Sequence, residues 1–126
     1  MEAVGTGGRR NVTASAPITG IEDRLLEKLT GVFFAYSDLD SVILFGSRAT
    51  GTASPRSDID LATRGILSRR RLGRLKLDLE DLDIPQRCDV VALEKVRHEP
   101  LKRHIKAVGV TIYRRARVRD RETGQR

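Results

Sequence analysis

A hydrophobic run ends in Gly46-Ser47, and ten residues later comes Asp58-Ile59-Asp60. No other feature of this chain constrains its fold as strongly. The segment reads LFGSRATGTASPRSDIDLA. A strand running into a Gly-Ser turn, a crossing loop and a second strand accommodate it. Side chains at i and i+2 of a strand project from one face, so Asp58 and Asp60 point together while Ile59 and Leu61 face a core. Paired carboxylates repel unless a cation lies between them. Mg2+ is the hard cation that one or two such carboxylates hold together with the phosphates of a substrate. The small Gly46-Ser47 turn offers backbone N–H groups that suit a phosphate. Carboxylates for a metal beside a phosphate cradle point to nucleotide chemistry.

The rest of the chain supplies a frame for this pair of strands. Residues 1–16 are rich in Gly, Thr, Ser and Ala and are expected to be disordered. Thr19 and Glu22 fit a capping box. Ile21, Leu25, Leu26, Leu29, Phe33 and Phe34 then recur at helical spacing, an amphipathic helix for one face of a sheet. Ser41 to Phe45 reads as a buried strand, Arg48 to Thr50 as a single helical turn, and residues 51–57 as a loop punctuated by Pro55. Asp58 to Ala62 is the second strand. Ser68 can cap a helix whose stripe is Leu72, Leu75, Leu79 and Leu82. Arg87 to Leu93 is a third strand. Pro100 opens a helix carrying Leu101, Ile105 and Val108, which Gly109 can cap, and Val110 to Tyr113 closes the sheet. The expected fold is α/β (α+β): a small mixed β-sheet with helices packed against it, in one domain over residues 17–114, followed by a basic tail over 115–126.

The net charge of +7 raises nucleic acid as a partner, and six arginines after Tyr113 leave RNA contact through the tail open. Aromatic residues are only 4%, with no tryptophan, so stacking platforms for single strands are scarce. No apolar run reaches the ~18 residues of a membrane span and no signal peptide opens the chain, so no membrane association and a cytoplasmic location are expected. Cys88, the single cysteine, excludes an internal disulfide and reads as a small buried residue. His98 and His104 lie six apart in a polar, basic stretch, off metal-ligand spacing, and read as surface residues. Asp78, Glu80, Asp81 and Asp83 read as the wet face of a helix.

Gly46, Ser47, Asp58 and Asp60 at this spacing, with Asp89 on a later strand, resemble the minimal nucleotidyltransferases of the polymerase-beta superfamily. The resemblance runs from about Ile18 to about Arg114 and includes the ending from His104-Ile105 to Ile112-Tyr113. It implies transfer of a nucleoside monophosphate, AMP from ATP above all, to an acceptor hydroxyl with release of pyrophosphate. By that likeness Asp58 and Asp60 hold two Mg2+ ions and Asp89 holds the ion nearer the acceptor. Gly46, Ser47 and Arg48 meet the polyphosphate, and Ser57 supports the metal or the phosphate. Two departures stand out. Thr50 replaces a second arginine found in many members, and no acceptor-binding domain follows the sheet. Another molecule is therefore expected to supply the acceptor. In many minimal members that molecule is a helical HEPN protein, a toxin for which the nucleotidyltransferase is the antitoxin. The alternatives are transfer to a small molecule or RNA, and inhibition of a partner by contact alone.

Overall fold

The computed structural model describes residues 21–115. The expected disordered segment 1–16, Thr19 of the capping box, and residues 116–126 of the tail lie outside the described residues. The elements are α1 (Asp23–Phe34), β1 (Ser41–Phe45), α2 (Ser47–Thr50), β2 (Ile59–Arg64), α3 (Arg69–Glu80), β3 (Cys88–Ala92), a 3-10 turn (Leu93–Lys95), α4 (Glu99–Val108) and β4 (Val110–Arg114). The four strands form one sheet in the order β3-β2-β1-β4. β1 runs antiparallel to both β2 and β4, whereas β2 and β3 are parallel. The sheet is mixed because α3 crosses over between β2 and β3, and parallel neighbours need such a crossover.

Period-two alternation divides the sheet into two faces. Val42 and Leu44 of β1, Ile59 and Leu61 of β2, Val90 of β3 and Ile112 of β4 face the main core. There they meet Leu25, Leu29 and Phe33 of α1 and Leu75 and Leu79 of α3. The opposite face carries Phe45, Ala62 and Val91, covered by Leu101, Ile105 and Val108 of α4. Among the described residues, α4 is the helix that packs on this face.

Local chemistry sets most boundaries. Ser68 accepts a hydrogen bond from the Arg71 amide at 3.3 Å and so caps α3. Pro100 lies in the first turn of α4. Gly109 is the C-cap of α4, but its backbone is extended (φ −61°, ψ 140°) rather than left-handed. Close packing is what demands glycine there: a Cβ would stand 2.4 Å from the Ile105 carbonyl oxygen and 2.6 Å from Ile43 Cγ2. The turn before β1 is tied to α3 through Arg71. Its guanidinium makes bonds of 3.1 and 2.8 Å to the Asp38 carboxylate and lies 4.7 Å from the Tyr36 ring centre. The Tyr36 hydroxyl donates to Asp78.

Two expectations for α1 are corrected. The helix begins at Asp23 with Glu22 as N-cap, and Glu22 makes no side-chain cap bond. Phe34 is 75% exposed whereas Phe33 is fully buried. Adjacent helical residues point about 100° apart, so only one of the pair can face the sheet, and Phe33 takes that place against Tyr113 at 5.5 Å between ring centres. Strand limits also move slightly: β2 starts at Ile59 with Asp58 just before it and continues to Arg64.

Leu75 has no exposed surface and touches the central strands' core. Leu75→Ala should cost about 2–5 kcal/mol in denaturant unfolding. Phe34→Ala, at an exposed position, should stay within about 0.5 kcal/mol of the parent.

Candidate active site

The carboxylates gather at the open end of the sheet face that α4 only partly covers. Asp60 lies on β2 and Asp89 on β3, and the two are direct partners in the parallel register. Asp60 is also the register partner of Phe45, the last residue of β1 before Gly46. Asp58 precedes β2 by one residue. Their neighbours Ile59, Leu61 and Val90 anchor in the core on the other face, so the strands are held while the acidic groups are pushed together. The Asp60 carboxyl shows the effect: its pKa is raised by burial first, then by the charges of Asp89 and Asp58, and His104 opposes the shift. Asp89 lies 3.7 Å from the Arg87 guanidinium, an exposed pair.

Gly46 lies directly against this cluster. Its φ is +75°, and a Cβ built on it would stand 2.1 Å from Asp60 Oδ2. The left-handed backbone and the carboxylate both demand glycine here. The Gly46 carbonyl then accepts from the Ala49 and Thr50 amides, each at 3.1 Å, which closes the single turn of α2 with Ser47 as its first residue. Thr50 donates its hydroxyl to the Ser47 carbonyl at 3.2 Å.

Arg48, expected at the polyphosphate, and Ser57, expected to support the metal or the phosphate, both make contacts within the loop. Arg48 is only 6% exposed. Its guanidinium donates to the carbonyls of Ser57 at 3.0 and 3.2 Å, Pro55 at 3.0 Å and Ser54 at 3.5 Å. The charge on Arg48 is spent on the backbone of the 51–57 loop, where four donor contacts offset the cost of burying it. The Ser57 hydroxyl accepts from the Ser54 amide at 2.9 Å. Both residues shape the loop that delivers Asp58. A 490 Å³ cavity on that loop is lined by Ile21, Glu22, Arg48, Gly51, Ala53, Ser54 and Pro55, and by none of the three carboxylates.

His104, expected at the surface, is brought to the site by α4. Its Nε2 accepts the Gly46 amide at 3.1 Å, and its ring stands edge-on to Phe45 with centroids 6.0 Å apart. His98 is the N-cap residue of α4 and makes no side-chain cap bond. Burial pushes the Cys88 thiol up to about 11, which removes it as a thiolate nucleophile at neutral pH.

The donor set is all oxygen, the chemistry of Mg2+ rather than of a softer metal. Among the described residues, no three His, Cys, Asp or Glu side chains form a preformed metal cage. A hard cation held by one or two carboxylates takes its remaining ligands from phosphate and water. An excess of negative charge around Asp60 and the missing Cβ of Gly46 both favour that arrangement.

Residues 27–118 match the family model described as Polymerase beta, Nucleotidyltransferase. The chain belongs to that family. Its fold is shared with solved structures of toxin–antitoxin complexes. One, a toxin-antitoxin with AMP-PNP, superposes with a TM-score of 0.59 at 22% identity, over 74% of this chain and 76% of the other. A second, a tri-AMPylated Shewanella oneidensis HEPN toxin with its MNT antitoxin, gives 0.54 at 19% identity over 71% and 70%. The MntA-HepT complex gives the same values, 0.54 and 19% over 71% and 70%. No curated protein matches significantly. No helix among the described residues is long and apolar enough to cross a membrane.

A carboxylate whose pKa is raised in the folded state destabilises that state at pH above its folded pKa, and the penalty is relieved as pH falls through it. Asp60→Asn should therefore raise the melting temperature of the metal-free protein at neutral pH. The advantage should shrink as the pH is lowered and Asp60 of the parent takes up its proton. Thermal melts across pH in chelator-treated buffer check both parts.

Proposed function

We propose that this chain is a Mg2+-dependent nucleotidyltransferase that moves AMP from ATP to a hydroxyl of a partner protein of the HEPN type, as the antitoxin of a toxin–antitoxin pair. The observation that carries the reading is the Asp60–Asp89 register pair with the Gly46 Cα pressed against Asp60. That arrangement places an acidic oxygen cluster next to a side-chain-free turn where a polyphosphate can approach. Membership of the nucleotidyltransferase family supports the reaction class. The likeness to a structure with AMP-PNP supports an adenine nucleotide, and the likeness to a tri-AMPylated HEPN toxin in complex supports the acceptor.

In this reading the acceptor oxygen attacks the α-phosphorus of ATP, the bond to the bridging oxygen of the β-phosphate breaks, and pyrophosphate leaves. Asp58, Asp60 and Asp89 would hold two Mg2+ ions, which would supply neutralisation of the charge that develops on the transferred phosphate. Asp58 and Asp60 would hold a cation on the nucleotide side, and Asp60 also pairs in register with Asp89 across the strands. Asp89, on the outer strand, serves the acceptor side and favours loss of the hydroxyl proton. Gly46 lets the backbone close on the phosphates, and the Ser47 hydroxyl binds a phosphate oxygen. Arg48 and Ser57 act at one remove, by fixing the loop that delivers Asp58. The protein acts where ATP, Mg2+ and the partner meet, which is the cytoplasm.

The acceptor test uses the purified protein, ATP, Mg2+ and a HEPN-type helical protein encoded as its genomic neighbour, the proposed partner. Intact-mass spectrometry should show the neighbour gaining whole AMP units, and Asp58→Asn should abolish the gain while the two proteins still co-purify. An unmodified neighbour whose activity is nonetheless blocked would replace the reading with contact inhibition. Label appearing in RNA or a small alcohol would redirect it to those acceptors.

The division of labour among the carboxylates gives a second outcome. Asp89→Asn should leave ATP affinity within about three-fold by calorimetry while the transfer rate falls about a hundred-fold or more. A variant with parental turnover would remove Asp89 from the acceptor side.

A further inference from the structure

His104 is the one side chain from the far helix that enters the site. It sits on α4, whose Ile105 is buried against the sheet with Phe45 and Ala62. That anchoring fixes the backbone from which the imidazole projects. Nε2 stands 3.1 Å from the Gly46 amide nitrogen, and the bond forms in the neutral imidazole with its ring proton on Nδ1, because an imidazolium has no acceptor nitrogen. Gly46 is thereby held from two sides: Asp60 excludes any side chain on its Cα, and His104 fixes its amide. The Gly46 peptide also starts α2, because its carbonyl accepts from Ala49 and Thr50.

We propose that His104 is a positioning residue of the active site, which locks the Gly46 peptide so that the Gly46-Ser47 turn is preformed for the triphosphate. The inference rests on the transferase reading above and extends it to a residue outside the carboxylate and Gly-Ser motif. A glycine at φ +75° has the widest backbone freedom of any residue, so an unpinned Gly46 would sample orientations in which the turn does not meet the phosphates. Preorganisation of this kind acts on the reaction more than on the fold. The amide bond also couples α4 to the catalytic turn, since a shift of the helix that moves His104 releases Gly46.

Three variants separate the effect from a structural one. Gln places its Oε1 at about the reach of the His Nε2 and can accept the same amide. Asn is too short, and Leu fills the space without an acceptor. Transfer kinetics on the partner protein and Mg-ATP calorimetry are measured for parent, His104→Gln, His104→Asn and His104→Leu, with thermal melts and the Gly46 amide resonance recorded alongside. The expected result is a loss of about ten-fold or more in kcat/KM for Leu and Asn, and recovery to within about three-fold for Gln. The Gly46 amide proton should move upfield in Leu and Asn and stay near its parental position in Gln, with the melts little changed. A Leu variant with parental kcat/KM, a Gly46 amide unmoved in it, or equal losses in all three variants would overturn the proposal. A parent that neither transfers AMP nor binds Mg-ATP would instead overturn the transferase reading, which the parental controls reveal before any variant is compared.

Discussion

Asp60 and Asp89 face each other across a parallel strand pair, with Asp58 close by. Their mutual repulsion is the constraint around which the rest of the domain is arranged. Left to themselves these groups would separate. They are kept together because Ile59 and Leu61, the residues that alternate with them, are completely buried on the opposite face. Pulling the carboxylates apart would mean pulling those side chains out of a core that α1 and α3 close. The hydrophobic energy of one sheet face is thus used to hold an electrostatic arrangement on the other, a local cost of the kind that functional sites carry.

That division explains the layout of the helices. The face with two helices is the stable one, and the face with one helix leaves open the end where the chemistry gathers. α4 covers Phe45, Ala62 and Val91 and stops short of the carboxylates. Its His104 bridges the boundary and meets the Gly46 amide. The sheet, the turn and the helix therefore converge on a single glycine, whose missing Cβ is the geometric condition for their close approach.

The loop between α2 and β2 follows a different logic. It is rich in Gly, Ser and Thr and has no apolar anchor of its own. Its order comes from the buried Arg48 guanidinium, which gathers the carbonyls of Ser54, Pro55 and Ser57. A buried cation is stable only when its donors are satisfied, and loop carbonyls that would otherwise face water satisfy them. Arg48 and the loop carbonyls each supply what the other lacks, and the product is a fixed approach to Asp58.

Much of this was legible in the amino-acid order. Short apolar runs located all four strands, and SVILF matches β1 residue for residue. The Ser68 cap, the Leu75 and Leu79 stripe and the Pro100 start followed from local hydrogen-bonding and steric rules that involve only near neighbours in the chain. That Asp58 and Asp60 point together was legible because strand geometry fixes which side chains share a face, whereas the contact of Gly46 with Asp60 came from the pairing of β1 with β2. Tertiary structure alone decided the rest. That the Arg48 guanidinium meets the carbonyls of residues 54–57 depended on where that loop folded back. Which of Phe33 and Phe34 was buried depended on how α1 rotated against the sheet. His104 lies 58 residues from Gly46 in sequence, and its place in the closing His104-Ile105 pattern does not say which way its ring turns. Periodicity and capping are properties of the backbone within a few residues. The direction of a long or titratable side chain is settled only by the elements packed around it.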